Sequence, residues 1–151
     1  MSEATKDAPS SNEMRAFAYR LLGRREYSIF ELGQRIRQKW PEAEGVSELL
    51  DALSEENLVS DERYVEAFVR SRIQRHQGPL KIKAALRGKG VSDFLVDASL
   101  GAYSDQWIDL AREWLARQHS GDFDFEQRKK YYRRLQSRGF THNQAMDALG
   151  F

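Results

Sequence analysis

Basic side chains recur at helical spacing near the C-terminal end of the chain. Lys130, Arg134 and Arg138 are four residues apart, so they fall on one face of a helix, with Lys129 and Arg133 beside them. Cations aligned in this way can bind nucleic-acid phosphates or an acidic groove of a protein. The alternative is that they are ordinary solvent-facing charge, which keeps a protein in solution.

A second basic cluster lies in the middle of the chain. Lys83 and Arg87 are four residues apart, and Lys81 and Lys89 are close to them. If the two clustered helices lie in register, their cations would form one basic strip that binds a partner protein or DNA. The candidate residues are Arg70, Arg72, Lys81, Lys83, Arg87, Lys89, Lys129, Lys130, Arg133, Arg134 and Arg138.

Residues suited to catalysis or to metal binding do not cluster in the sequence. The absence of cysteine excludes disulfides, thiolate nucleophiles and cysteine metal sites, and the three histidines are far apart. Asp122 and Asp124 are better explained by a turn and a helix N-terminus than by a metal. Gly88 to Gly90 lacks the spacing of a phosphate-binding loop. We therefore expect no enzyme activity, no metal and no cofactor.

The composition is that of a strongly charged globular chain. Charged residues make up 31% of the 151 residues, yet the net charge is only +1. No apolar run approaches the roughly 20 residues of a membrane span, and Met1 to Asn12 lacks the apolar segment of a signal peptide. We expect a cytoplasmic protein that does not bind membranes.

Apolar residues follow the stripe of amphipathic helices along the chain. The stripe is clear at Met14, Phe17, Ala18, Leu21 and Leu22. It recurs at Trp107, Leu110, Ala111, Trp114 and Leu115, and in a close variant at Val65, Phe68, Val69 and Ile73. No clean period-two run indicates a strand. The pattern predicts an all-α protein.

Two helix ends match so closely that they indicate a repeat. Lys89-Gly90-Val91-Ser92 and Arg138-Gly139-Phe140-Thr141 each place glycine at the left-handed position after a helix, and Ser or Thr as the cap of the next. Leu86, Gly90 and Leu100 lie 49 residues before Leu135, Gly139 and Leu149. Gly45-Val46-Ser47 has the same order of glycine, apolar residue and serine in the first part of the chain.

The repeat predicts three tandem three-helix modules that resemble helix-turn-helix units and form an elongated, curved array. Residues 1–12 are predicted to be a flexible tail, and the modules to span 13–60, 61–104 and 105–151. Ser60 and Ser104 are expected to cap the first helices of the second and third modules.

The tyrosines and the histidine near the basic clusters have competing interpretations. Tyr131 and Tyr132 could stack on bases, but at least one is expected in the core with Phe125 and Leu135. His76, which precedes Gly78-Pro79, is expected to be a surface or capping residue.

The order of several short motifs resembles the RecX family of regulators of the RecA recombinase. These motifs are Asn57-Leu58-Val59-Ser60-Asp61-Glu62-Arg63-Tyr64, Gly78-Pro79-Leu80-Lys81-Ile82, Lys89-Gly90-Val91, Tyr27-Ser28 with Glu31-Leu32, and Arg138-Gly139-Phe140. The resemblance covers about residues 14 to 151. Asn57 and Ser60 depart from it, because glycine and an acidic residue are expected there. The motif residues carried over are Asp61, Arg63, Tyr64, Gly78, Pro79, Gly90 and Gly139, for which a structural role is the alternative.

The resemblance implies a non-enzymatic monomer that binds the RecA filament on DNA and limits its assembly and activity in recombination and the SOS response. The alternatives are a helix-turn-helix-like protein that binds DNA without a recombinase, and a helical scaffold for another partner.

The net charge differs between the three predicted modules. The first has seven basic and nine acidic residues and a net charge of −2. The second has eight basic and five acidic residues (+3), and the third has eight basic and seven acidic residues (+1). We therefore expect binding through the second and third modules, with weak direct contact to DNA.

Overall fold

The computed structural model describes residues 8–151, and in that range it contains helices and no strand. The all-helical class predicted from the apolar stripes is confirmed. The α-helices are α1 (Ser11–Leu22), α2 (Ile29–Lys39), α3 (Val46–Glu55), α4 (Asp61–Gln74), α5 (Pro79–Leu86), α6 (Asp93–Gly101), α7 (Trp107–Gln118), α8 (Phe125–Ser137) and α9 (His142–Leu149), with a 3-10 turn at Arg87–Lys89. None of these helices is long and apolar enough to cross a membrane.

The first helix begins earlier than the sequence pattern predicts. Ser10 accepts the N–H of Glu13, and the Glu13 carboxylate accepts the N–H of Ser10, which closes a capping box and starts α1 at Ser11. The predicted tail therefore extends too far at its C-terminal end, because a polar helix start carries no apolar stripe. Residues 1–7 of that tail lie outside the described residues.

The chain divides into two compact units. The first contains residues up to Val65 together with 89–91, and the second contains 66–88 and 92–151. In the first unit α1, α2 and α3 pack together around fully buried Leu32, Ile36 and Leu53. The three-module boundaries stay a prediction, since the compact units do not follow them.

The second unit has its core between α7, α8 and α9. Trp107 and Leu115 from α7 are buried, as are Leu135 from α8 and Leu149 from α9. In the same unit α5 and α6 contact each other and bury aliphatic side chains at Ile82, Leu86, Val96 and Leu100.

Helix caps confirm most of the predicted turns. Gly90 and Gly139 adopt positive φ angles of 73° and 99°, and the side chains of Ser92 and Thr141 cap α6 and α9. Ser60 Oγ accepts the N–H of Arg63 in the first turn of α4.

Two other predicted caps are wrong. Gly45, not Ser47, is the cap residue of α3, and the Ser47 hydroxyl accepts from Arg37 instead. Ser104 lies in a turn, and α7 starts after Gln106 without a side-chain cap. Both errors arise because serine is a common helix-capping residue and so suggests a helix start. At these two sites the backbone turn places the start of the helix at another residue.

Candidate partner-binding surface

Helix α8 carries four of the eleven candidate cations, and its start is well defined. Asp124 accepts the N–H of Gln127, and the Gln127 side chain accepts the N–H of Asp124. The Asp124 carboxylate therefore caps α8, which confirms the predicted position at a helix N-terminus. Among residues 8–151 no group of three or more His, Asp or Glu side chains is placed to hold a metal.

Arg138 is not part of an open basic face. Its Nε donates to the carbonyl of His76 at 2.9 Å, its guanidinium also donates to the carbonyl of Arg75, and its Cζ lies 5.1 Å from the centre of the Trp114 ring. Burial lowers the pKa of this guanidinium from its ordinary value. Arg138 therefore already has partners within the second unit, and its predicted part in a binding surface stays a prediction.

Lys130 and Arg134 lean toward the core side of α8. The Lys130 ammonium and the Arg134 guanidinium lie 5.4 and 5.5 Å from the centre of the Tyr131 ring, and Tyr131 is buried. Their terminal groups stay accessible, since both residues are exposed. Each contact of this kind is worth about 0.5–1 kcal/mol at an exposed site.

Lys129 and Arg133 point into solvent on another side of α8. Both are exposed, and Lys129 forms a 3.7 Å ion pair with Glu126, whose side chain is 81% exposed. Phe125, expected in the core, is 66% exposed and lies 5.3 Å from the Lys129 ammonium. Tyr131 fills the core position instead, which confirms that at least one of the paired tyrosines is buried.

The basic side chains in and just after α5 lie in different environments. Lys83 pairs with Asp97 of α6 at 2.9 Å, while Arg87 is exposed on the 3-10 turn. Lys81 is exposed, but its backbone and Cβ lie against Gly139. In the first unit, Lys89 forms a 3.7 Å ion pair with Glu31. Two of the four candidate lysines and arginines therefore have acidic partners.

The two candidates on α4 also differ. Arg70 is exposed, whereas Arg72 donates to the Gln77 side chain at 3.2 Å and stacks over Phe68 at 4.4 Å. Arg72 thus supports the turn that ends α4.

The glycine motifs of the second unit are sites of close backbone approach. The N–H of Gly78 donates to the Arg138 carbonyl at 2.7 Å, and the N–H of Leu80 donates to the Gly139 carbonyl at 2.9 Å. A Cβ on Gly78 would lie 2.4 Å from the Gly139 backbone, and one on Gly139 would lie 2.4 Å from Lys81 Cβ. Pro79 follows as the first residue of α5, where its missing N–H leaves no donor unpaired.

A related junction occurs inside the first unit. The Ser28 hydroxyl donates to the Lys89 carbonyl at 2.7 Å and accepts the N–H of Glu31 at 3.1 Å. Gly90 has no room for a side chain, because a Cβ would lie 2.4 Å from Phe30 Cβ. At both junctions the start of a helix contacts a glycine turn, so these motif residues hold backbone segments close together.

The acidic motif residue also contacts the backbone at the start of a helix. Asp61 Oδ1 accepts the N–H of Ile29 at 2.8 Å, so it caps α2 rather than pairing with Arg63. Arg63 instead pairs with Glu26 at 3.1 Å and donates to the Asn57 side chain at 2.9 Å, while Tyr64 is buried. Sequence spacing could not indicate a cap contributed from 32 residues away.

The two departures from the family pattern fit their positions. Asn57 adopts φ 61°, the left-handed conformation that glycine and asparagine adopt most readily. Ser60 caps the first turn of α4 through its hydroxyl, as a carboxylate would. Both residues are therefore compatible with the backbone at their positions.

His76 combines burial with an unusual backbone. It is 8% exposed, adopts φ 56° after α4, and lines a cavity of about 430 Å³ with Trp107, Glu113 and Arg117. Burial first, and then the nearby Arg117 and Arg138, lower its pKa, while Glu113 acts in the opposite direction. The predicted capping position is confirmed, but the residue is not on the surface.

Comparison with known proteins connects this scaffold to one family. The family model described as "RecX, second three-helix domain" matches residues 60–100. Regulatory protein RecX of Chromohalobacter salexigens is 42% identical over 133 residues, which is 87% of this chain and 88% of that protein. The chain belongs to the RecX family. Regulatory protein RecX of Halorhodospira halophila is 37% identical over 150 residues, covering 98% and 91% of the two chains.

Solved RecX structures share the fold. The crystal structure of RecX from Lactobacillus salivarius superposes with a TM-score of 0.80 at 23% identity, covering 97% of this chain and 96% of that one. A second crystal structure, of a regulatory protein RecX, gives a TM-score of 0.72 at 20% identity over 93% and 73% of the two chains. The fold is therefore shared although most residues differ.

Proposed function

We propose that this chain binds the RecA recombinase filament on DNA and inhibits or modulates its assembly, its ATP hydrolysis and its strand exchange during recombination and the SOS response. The observation that carries the proposal is the match to regulatory proteins RecX over 87% and 98% of the chain. A correspondence of that extent includes both compact units rather than one shared module.

The surface of the second unit suits a nucleoprotein partner. Arg87, Lys129 and Arg133 are exposed, and Lys130 and Arg134 keep accessible charge above the Tyr131 ring. One exposed ion pair contributes about 1 kcal/mol or less. Several such contacts must therefore act together to change the affinity by two or more orders of magnitude.

In this proposal the chain acts as a cytoplasmic monomer without cofactor or membrane, and its function is binding rather than catalysis. Asp61, Gly78, Gly90 and Gly139 keep the helices in place, and the exposed cations make contact. Direct contact with DNA is weak, because the net charge of +1 gives little general attraction to phosphates.

The test is RecA ATP hydrolysis on single-stranded DNA, measured with increasing amounts of the full chain. We expect inhibition at amounts well below those that coat the free DNA. A variant with Lys129→Glu, Lys130→Glu, Arg133→Glu and Arg134→Glu should inhibit at least tenfold less well, with an unchanged circular dichroism spectrum. Unchanged hydrolysis at one regulator per recombinase would reject the proposal.

Binding of the chain to a labelled single-stranded oligonucleotide, measured with and without RecA, tests the helix-turn-helix alternative. A protein that acts by binding DNA directly would bind the oligonucleotide with the same affinity whether or not RecA is present, and its affinity would fall steeply with salt. Recombinase-dependent binding supports the regulator instead.

A further inference from the structure

The last two helices of the second unit form an apolar groove with a basic rim. Lys129, Tyr132, Arg133 and Gln136 of α8 line one side, and Met146 and Phe151 line the other, around a cavity of about 400 Å³. We call this the α8–α9 groove. Its size is in the range that binds small ligands or a few side chains of a peptide.

Hydrogen bonds and ring contacts hold the lining of the groove in place. The Tyr132 hydroxyl bonds to His142 Nδ1 at 2.5 Å and accepts from the Gln136 amide at 3.0 Å. The N–H of Phe151 donates to the Met146 carbonyl at 3.1 Å, and the Arg128 guanidinium lies 5.4 Å from the Phe151 ring centre. A groove that is already ordered loses little conformational entropy when it binds.

The charged residues that line the groove are basic. Its described lining contains Lys129 and Arg133 and no acidic residue. Both cations are exposed, and among residues 8–151 the one ion pair of Lys129 is the 3.7 Å contact with the exposed Glu126. An incoming carboxylate could therefore pair with either cation without first breaking a close ion pair.

The apolar part of the lining extends beyond the cavity. Phe125 lies one turn before Lys129 and is 66% exposed, and Phe151 is 49% exposed. Large apolar side chains left in solvent beside a groove are typical of a surface that a partner covers. Met146 adds a flexible side chain that can adapt to different apolar groups.

We propose that the α8–α9 groove binds an acidic amphipathic segment of a partner protein. An aliphatic or aromatic side chain of the segment enters between Tyr132, Met146 and Phe151, and neighbouring carboxylates pair with Lys129 and Arg133. Charge complementarity and the apolar lining together favour a protein segment over nucleic acid, whose phosphates would use the rim but leave the apolar lining uncovered. The inference rests on the proposed function, because the segment would belong to the regulated partner.

The test uses the full chain and a short fluorescein-labelled peptide. In a helical conformation, this peptide has leucine and phenylalanine on one face and glutamates beside them. Fluorescence anisotropy should show saturable binding. A matched peptide with lysine in place of glutamate, and a second with alanine in place of the apolar residues, should each bind at least tenfold more weakly.

Variants of the protein locate the site. Arg133→Glu and Met146→Glu should each weaken peptide binding at least tenfold. Arg24→Glu reverses an exposed charge in the first unit and should leave binding unchanged. Circular dichroism melting shows that each variant is folded.

Two outcomes overturn the inference. One is peptide binding that Arg133→Glu and Met146→Glu leave intact. The other is an oligo-dT strand that binds more tightly than the peptide and is lost with the same variants, which would make the groove a nucleic-acid site.

The RecA ATPase assay on the same preparations separates this inference from the proposed function. Inhibition without peptide binding rejects the groove and leaves the regulator. Peptide binding without inhibition rejects the regulator and leaves the groove.

Discussion

Asp61 accepts the N–H of Ile29 at 2.8 Å, so a side chain at the start of α4 caps the amino terminus of α2. The neighbouring Ser28 is fully buried and bonds both to Glu31 N–H and to the Lys89 carbonyl. Three chain segments of the first unit are thus joined by one small polar network. Buried polar groups that are fully hydrogen-bonded specify a single arrangement of the elements they connect.

Replacing Asp61 should destabilise the first unit. Asp61→Ala leaves the Ile29 N–H without its acceptor and should cost about 1–3 kcal/mol, the usual range for losing a hydrogen bond to a charged group. Asp61→Asn keeps an oxygen acceptor and should cost less. Urea unfolding followed by circular dichroism measures both, with the exposed Asp51→Ala on α3 as the matched control. Equal stability of the Asp61→Ala and Asp51→Ala variants would contradict the capping role.

Comparing Gly139→Ala with Gly121→Ala tests whether the junction at Gly139 has room for a side chain. Both have positive φ, 99° and 87°, so alanine strains the backbone at either position. A Cβ at Gly121 meets open space, whereas one at Gly139 lies 2.4 Å from Lys81 Cβ and 2.6 Å from Lys81 N. Gly121→Ala should therefore cost about 1 kcal/mol, and Gly139→Ala several times more. The melting temperatures of the two variants check this, and similar values would show that the junction tolerates a side chain.

Arg138 should matter for stability more than for surface charge. Lysine cannot donate to the Arg75 and His76 carbonyls together, because it lacks the planar fork of the guanidinium. Arg138→Lys should therefore destabilise the protein by about 1–2 kcal/mol. Arg133→Lys on the exposed side of α8 should stay within about 0.5 kcal/mol of the natural chain. Thermal unfolding of the two charge-conserving variants is the measurement, and indistinguishable curves would place Arg138 in solvent.

His76 should make stability depend on pH. Its folded pKa lies below the ordinary value of 6.5, because burial, Arg117 and Arg138 outweigh Glu113. Below pH 6.5 the unfolded chain therefore binds more protons at this residue than the folded chain, and stability falls as the pH falls. The loss of stability between pH 7.5 and 5.5 should be larger in the natural chain than in His76→Asn, whose asparagine tolerates the left-handed backbone. Identical pH dependence in urea unfolding would refute the assignment.

The helices were predictable because their signals are local. Apolar stripes such as Trp107 to Leu115, and caps such as Thr141 with Gln144, involve residues within two or three turns of each other. The start of α1 was missed because Ser11 to Glu13 contain no apolar residue, and the start of α7 because no side chain caps it. The repeat signal at Gly90 and Gly139 identified the left-handed turns correctly.

The candidate surface was predictable only in part, because tertiary contacts decide which cations are free. Helical spacing places Lys130, Arg134 and Arg138 on one side of α8, yet the carbonyls that bind Arg138 come from 62 and 63 residues earlier. Spacing also gave no reason for Phe125 to be exposed and Tyr131 buried. The α8–α9 groove depends on Met146 and Phe151, which carry no charge pattern and had no signal as site residues.

The most direct test is co-sedimentation of the chain with RecA, in the presence and absence of single-stranded DNA. We expect the chain to pellet with RecA filaments on DNA and to stay in the supernatant with DNA alone. The combined substitutions Lys129→Glu, Lys130→Glu, Arg133→Glu and Arg134→Glu should partly release it from the filaments. A chain that pellets equally with DNA alone, or that never pellets with filaments, would contradict it.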